Sequence, residues 1–179
     1  MKRFFLALCV WALAAGAAQA QLEKGTWVMG GTVSTGSNKF GDLKTKFTNL
    51  TPSVAIMFGS GFSGGINVEY SRVKFGEEDP VNESLIGPFL RYYLIPAGKP
   101  VNVFFNVGYG WGRTAATESE GQIGKRGYNL AAGPAIFLNK HSALEIALDY
   151  SSIKAKDLDD RSNTFGIKIG FQVYFGGGK

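Results

Sequence analysis

The chain has 179 residues, 45% hydrophobic and 18% charged, with 25 Gly, 14 Phe, 7 Tyr and a single Cys, at a formal net charge of +5. That length suits one domain, and so much apolar residue excludes a disordered chain. One cysteine cannot staple a small fold, and abundant glycine and aromatic residues disfavour a helical bundle.

At the start of the chain, Lys2 and Arg3 precede an apolar stretch from Phe4 to Ala18, closed by Ala18-Gln19-Ala20. A basic start, a short apolar run and small residues before a cleavage point predict a secretory signal peptide over 1–20. The stretch is shorter than the roughly 20 residues that a membrane helix needs. Cys9 sits in mid-stretch behind Leu8, the wrong setting for lipid attachment, and leaves with the signal. The mature domain, 21–179, then has no thiol, and loss of Lys2 and Arg3 lowers its net charge from +5 to +3. That balance is too weak for a nucleic-acid partner. Export puts the protein beyond the cytoplasmic membrane.

No long apolar run follows, but period-two alternation recurs eight times, the signature of strands. In chain order the strands fall near 25–36, 49–59, 62–75, 84–94, 101–113, 127–138, 142–153 and 163–175. The third sets Phe62, Ile66, Val68 and Tyr70 against Ser63, Gly65, Asn67 and Glu69. The last sets Phe165, Ile167, Ile169, Phe171, Val173 and Phe175 against Lys168, Gly170, Gln172 and Tyr174. Long connections at 37–48, 76–83, 114–126 and 154–162 alternate with short ones at 60–61, 95–100 and 139–141. Long and short loops thus segregate to opposite ends of an eight-stranded antiparallel up-and-down barrel, an all-β fold without edges.

Charge decides which face looks outward. Only Glu69, Arg72, Lys74, Arg91, Arg113, Glu145, Asp149 and Lys168 fall within these strands, and the middle of the bulky face has no charge. The opposite face is mostly Gly, Ala, Ser and Asn, which suits a narrow lumen, because eight strands leave room only for packed side chains. The bulky face is therefore expected to meet lipid, making the barrel transmembrane. Two aromatic girdles support this: Trp27, Phe58, Phe62, Phe171 and Phe175 near the short turns, and Tyr70, Tyr109, Trp111, Tyr150 and Phe165 towards the long loops.

Lys24-Gly25-Thr26-Trp27, the strand Ile86-Gly87-Pro88-Phe89-Leu90-Arg91-Tyr92-Tyr93, Gly108-Tyr109-Gly110 and the aromatic last strand also carry a resemblance. Together they resemble the outer membrane protein beta-barrel domain family, the small eight-stranded barrels of OmpX-like and OmpA-membrane-domain-like shape. The likeness spans the whole mature chain. It implies a place in the cell outer membrane of a Gram-negative envelope, with periplasmic termini and extracellular long loops. It also implies contact with outer-membrane lipid and lipopolysaccharide, and insertion by the assembly machinery that reads an aromatic C-terminal strand. Here Phe175 is followed by Gly176-Gly177-Gly178-Lys179, a departure from that ending. The resemblance implies no particular activity.

Glu69, Arg91, Glu145, Asp149, Lys168 and Gln172 form the expected lumen network, since charges in a lumen need partners. Pairing Ser142 with Phe175 in the last hairpin puts Asp149 opposite Lys168 and Glu145 opposite Gln172. The glycines of Gly59-Ser60-Gly61-Phe62-Ser63-Gly64 mimic a dinucleotide fingerprint, and Gly61-Phe62-Ser63-Gly64-Gly65 a nucleophile elbow. Both motifs require a helix that two strands do not supply. His141, the only histidine, lies beside Ser142 and near Glu145, but at a short turn, the wrong end for chemistry on outer-leaflet lipid. No catalytic residue, cofactor or metal is expected. The long loops mix Lys39, Lys44 and Lys46, then Glu77, Glu78, Asp79 and Glu83, then Lys154, Lys156 and Arg161 with Asp157, Asp159 and Asp160. Loops are where an extracellular ligand would be recognised. The leading expectation is a non-enzymatic structural or surface-interaction barrel. The alternatives are a narrow or gated pore and a lipid A-modifying enzyme.

Overall fold

A computed structural model describes residues 22–40, 43–59, 61–75, 80–95, 99–115, 123–156 and 161–177. The predicted signal peptide, Ser60, Glu77, Glu78, Asp79, Asp157, Asp159, Asp160 and the last two residues of the tail lie outside them, as do the side chains of 37–45, 75, 114 and 115. Eight strands are formed: β1 (Trp27–Phe40), β2 (Leu43–Gly59), β3 (Phe62–Phe75), β4 (Val81–Tyr93), β5 (Val101–Ala115), β6 (Ile123–Asn139), β7 (Ser142–Ala155) and β8 (Arg161–Phe175). Each pairs antiparallel with the next, and β8 returns to β1 to close the barrel.

Strands of 13 to 17 residues exceed the 9–11 that a tilted strand needs to cross a bilayer. The surplus lies at the long-connection end and corrects the sequence reading there. The stretch 37–48, expected as a long loop, is mostly ladder, with pairing running on to Phe40↔Leu43. The flanks of the 114–126 and 154–162 connections are likewise strand. Antiparallel pairing continues there through polar residues such as Ser37, Asn38 and Thr45, where hydropathy no longer alternates. At the other end, register shifts beside Phe58 and Leu138 mark bulges next to the two tightest turns. Gly61 takes a φ of +80° in the β2–β3 turn, a conformation costly for any other residue.

The closure is uneven. β1 and β8 pair from Trp27↔Phe175 only as far as Val33↔Ile169, whereas β1 and β2 stay paired to their tips.

Alternation sends the bulky sets outward: Met29, Leu50, Ile66, Leu90, Val107, Leu130, Leu148 and Ile169 are all exposed. The interior is less uniformly small than expected. Phe89, Tyr93, Phe104, Phe137 and Tyr174 point inward and are buried with Val28 and Met57. Leu22 joins them, because the segment before β1 folds under the short-turn end, with Gly25 N–H donating to the Met57 carbonyl (2.7 Å). Gly, Ala and Ser elsewhere in the wall leave room for these rings. At Gly87 a Cβ would overlap the Tyr109 carbonyl of β5, so the β4–β5 approach itself requires glycine.

Candidate functional site

The interior is built in layers. Above the short-turn end sits an aromatic and charged layer. Arg91 of β4 donates from Nη1 to both carboxylate oxygens of Glu145 on β7, at 2.8 and 3.1 Å. Nε of Arg91 reaches Asn106 Oδ1 at 3.4 Å, and Nη1 also approaches the Tyr93 hydroxyl at 3.3 Å. Gln172 Nε2 donates to Glu145 at 3.1 Å, and the Tyr93 and Tyr174 hydroxyls share a 2.8 Å hydrogen bond. The guanidinium lies 4.6 Å from the centre of the Phe104 ring and 5.7 Å from that of Phe89. Side-chain exposures of 9% for Arg91 and 1% for Glu145 make this a desolvated pair, which is tenable only because every oxygen has a donor.

A second cluster lies further along the lumen. Lys168 Nζ stands 3.2 Å from Asp149 Oδ1 and 3.7 Å from Glu69 Oε2. It lines a cavity of about 40 Å³ with Asn67, Asn106, Asn129 and Thr51. Nearer the far rim, Lys125 pairs with Glu83.

All six residues expected in a lumen network thus face the interior, but not in the expected register. Ser142 lies opposite Val173, so Lys168 faces Ala147 and Gln172 faces Ala143. The ladder begins two residues earlier on β8 than expected, and the same offset continues past Ser142, where Tyr174 N–H donates to the His141 carbonyl (2.8 Å). The acid–base contacts are diagonal, two positions along, a separation that long side chains span readily. The sequence reading set Tyr174 on the inward face with Gln172, as observed, but did not assign Phe89, Tyr93, Phe104 or Phe137 to the lumen, although all occupy inward positions of the alternation.

Outside, Trp27, Phe58, Phe62, Phe171 and Phe175 are exposed around the short-turn end. Tyr70, Tyr109, Trp111 and Phe165 are exposed towards the other end, with Tyr150 half-buried beside Tyr128, ring centres 6.3 Å apart. Beyond this second ring, outward positions carry cations. Arg72, Lys74 and Lys46 lie on β2–β3, and Arg113, Arg126, Lys154 and Arg161 on β5–β8. Among the described residues no carboxylate shares this outward rim. The strand acids Glu69, Glu83, Glu145 and Asp149 all face the lumen.

His141, Ser142 and Glu145, neighbours in sequence, do not come together as a Ser/His/acid set. His141 is exposed, its Nδ1 3.2 Å from the Tyr174 carbonyl, while Glu145 is held by Arg91. Among the described residues no group of three His, Cys, Asp or Glu could hold a metal ion, and no helix is long and apolar enough to cross a membrane.

A family model described as "Outer membrane protein beta-barrel domain" matches residues 5–172. No curated protein matches the chain. Among solved structures it is similar to the N-terminal β-barrel domain of Pseudomonas aeruginosa OprF, with TM-score 0.62 and 11% identity over 86% of this chain and 99% of that one. Neisserial surface protein A gives TM-score 0.67 and 13% identity over 84% of this chain and 97% of that one. The outer membrane protein OprG from Pseudomonas aeruginosa gives 0.55 and 16% over 86% and 97%. At these identities the likeness to each is one of fold.

Proposed function

The chain belongs to the outer membrane protein beta-barrel domain family, and from that premise we propose a non-enzymatic barrel whose lumen does not conduct and whose role is structural or carried by its exposed loops. The observation that carries the membrane reading is the belt of exposed Leu, Ile and Val without a charge between two aromatic rings. An apolar surface that continuous is untenable in water, and lipid is its natural solvent. The blocked lumen is supported by the Arg91–Glu145–Tyr93–Tyr174 layer and by a cavity of about 40 Å³, enough for a water or two and not for a solute.

In this reading residues 1–20 are removed on export, the termini and short turns face the periplasm, and the cationic rim and long connections face outward. Phe175 is the aromatic that the insertion machinery engages. Surrounding lipid, lipopolysaccharide included, is the constant partner, and any extracellular ligand meets the loops.

Planar-bilayer recording of the refolded mature chain tests the closed lumen. A silent membrane at moderate voltage is expected. Stable unitary conductance would overturn it in favour of a pore. Heat-modifiable mobility in detergent tests the barrel itself, and a water-soluble mature chain without it would end the membrane reading.

A further inference from the structure

Among the described residues the inward-facing charges are Arg91, Lys125 and Lys168 against Glu69, Glu83, Glu145 and Asp149, one acid more than there are cations. Arg91 pairs with Glu145 and Lys125 with Glu83, one to one, but Lys168 is shared between Asp149 and Glu69. The excess negative charge can be traced to an atom. Glu69 presents Oε2 to Lys168 at 3.7 Å, and its Oε1 accepts from the Ser71 hydroxyl at 3.5 Å. Asp149 Oδ1 lies 3.2 Å from Lys168 Nζ, while Asp149 Oδ2 is buried without a hydrogen-bond partner. Thr51 Oγ1 is buried without one too, and both side chains line the cavity of about 40 Å³. At 5% and 7% exposure neither is served by bulk water.

The register supplies the rest of the lining. Thr51 of β2 faces Thr32 of β1, and Ser53 of β2 faces Asn67 of β3, so three neighbouring strands turn hydroxyl and amide groups to this cavity. Asp149 of β7 adds a carboxylate. A water there would satisfy Asp149 Oδ2 and Thr51 Oγ1 but leave the excess charge in place, and a buried charge without a counter-charge is costly. A cation answers both needs.

The lining also selects the kind of cation. Oxygen ligands, most of them neutral, suit a hard ion and not a metal that seeks thiolate or imidazole. One charge needs balancing, and the Lys168 ammonium beside the same carboxylate repels a guest with two. Space for a water or two means that the ion sheds most of its hydration shell, which Mg²⁺ does reluctantly. We propose that the lumen binds a small monovalent cation of Na⁺ size, held by Asp149 Oδ2 and Thr51 Oγ1, as the fixed counter-ion of the Lys168 cluster. The site is a property of the packed interior and does not depend on which end of the barrel faces outward.

The test is urea unfolding of the full mature barrel in phosphatidylcholine vesicles, in NaCl or in N-methyl-D-glucamine chloride at equal ionic strength. An ion that binds only the folded barrel raises the folded-to-unfolded ratio, by about tenfold once Na⁺ stands at about ten times its dissociation constant. That ratio should therefore climb with Na⁺ in the parent and not with the organic cation. Asp149→Asn leaves Lys168 and Glu69 one to one, so this variant should ignore Na⁺ and, in N-methyl-D-glucamine, be at least as stable as the parent. Thr51→Val keeps the shape and every charge but removes a ligand, and should lose most of the Na⁺ response. It carries the test alone should Asp149→Asn fail to reach the heat-modifiable form. Lys46→Gln, at the outward rim, should respond to Na⁺ like the parent. Equal stability of the parent in both salts would overturn the site. So would a Na⁺ response that survives in Thr51→Val, because the effect would then be one of bulk salt.

Discussion

Arg91→Met removes one partner of the buried pair and leaves Glu145, 1% exposed, with only Gln172 and the Tyr93 hydroxyl as donors, at 3.1 and 3.4 Å. An uncompensated carboxylate at such a site costs about 3–5 kcal/mol. Changing both residues, Arg91→Met with Glu145→Met, removes the charge altogether and substitutes apolar volume among Phe89, Phe104 and Phe137. That double variant should unfold within about 1 kcal/mol of the parent, or be more stable. Urea titration in phospholipid vesicles, followed by the fluorescence of the outward Trp27 and Trp111, gives both values. A double-mutant cycle then isolates the coupling. The reasoning fails if Arg91→Met alone costs less than about 1 kcal/mol, the level of a solvated surface pair. It fails equally if the double variant loses the sum of the two single changes. Either result would describe a lumen wet enough to screen the pair.

Three further outcomes follow from named residues. Ile169→Arg puts a charge in mid-belt and should cost about 2–4 kcal/mol in the same titration, whereas Arg72→Gln at the rim should cost almost nothing. Gly87→Val has no room beside the Tyr109 carbonyl, so the variant should fail to reach the heat-modifiable form, and normal mobility would show that the β4–β5 approach is looser than described. Phe175→Ala should slow insertion by reconstituted assembly machinery while barely changing the stability of the inserted barrel. An unchanged rate would shift that recognition elsewhere.

What the sequence disclosed depended on where hydropathy alternates. In β3 and β8 the contrast between Ile66 or Ile169 and Asn67 or Lys168 is stark, and strand, facing and closure all followed from it. Towards the rim the same backbone ladder continues through Ser37, Asn38 and Thr45, residues equally at home in a loop, so strand ends there were hidden. That also concealed Arg126, Lys154 and Arg161 as strand residues and hence as an outward row. The lumen charges were legible by position. Their partners were not, because a two-residue slip of the last hairpin keeps every side chain on its own face and leaves the hydropathy alternation unchanged. Of the inward rings, Tyr174 was placed by its parity with Gln172, whereas Phe104, which shares the parity of Asn106, was readable only in principle. An aromatic residue suits lipid and lumen alike, so composition alone could not decide its side.

The uneven closure of β1 on β8 bears on how the barrel breathes. Seven paired rows join these strands against fourteen between β1 and β2, so the cyclic ladder has a single short joint. A ring of uniform joints has no end from which to fray, but this one does. Amides of β1 from Ser34 onward and of β8 before Ile169 border that joint on one side without a ladder partner across it, and should exchange with solvent through the smallest local opening. Relaxation of the barrel should begin at its long-connection end, between its first and last strands, far from the Arg91–Glu145 layer near the short turns.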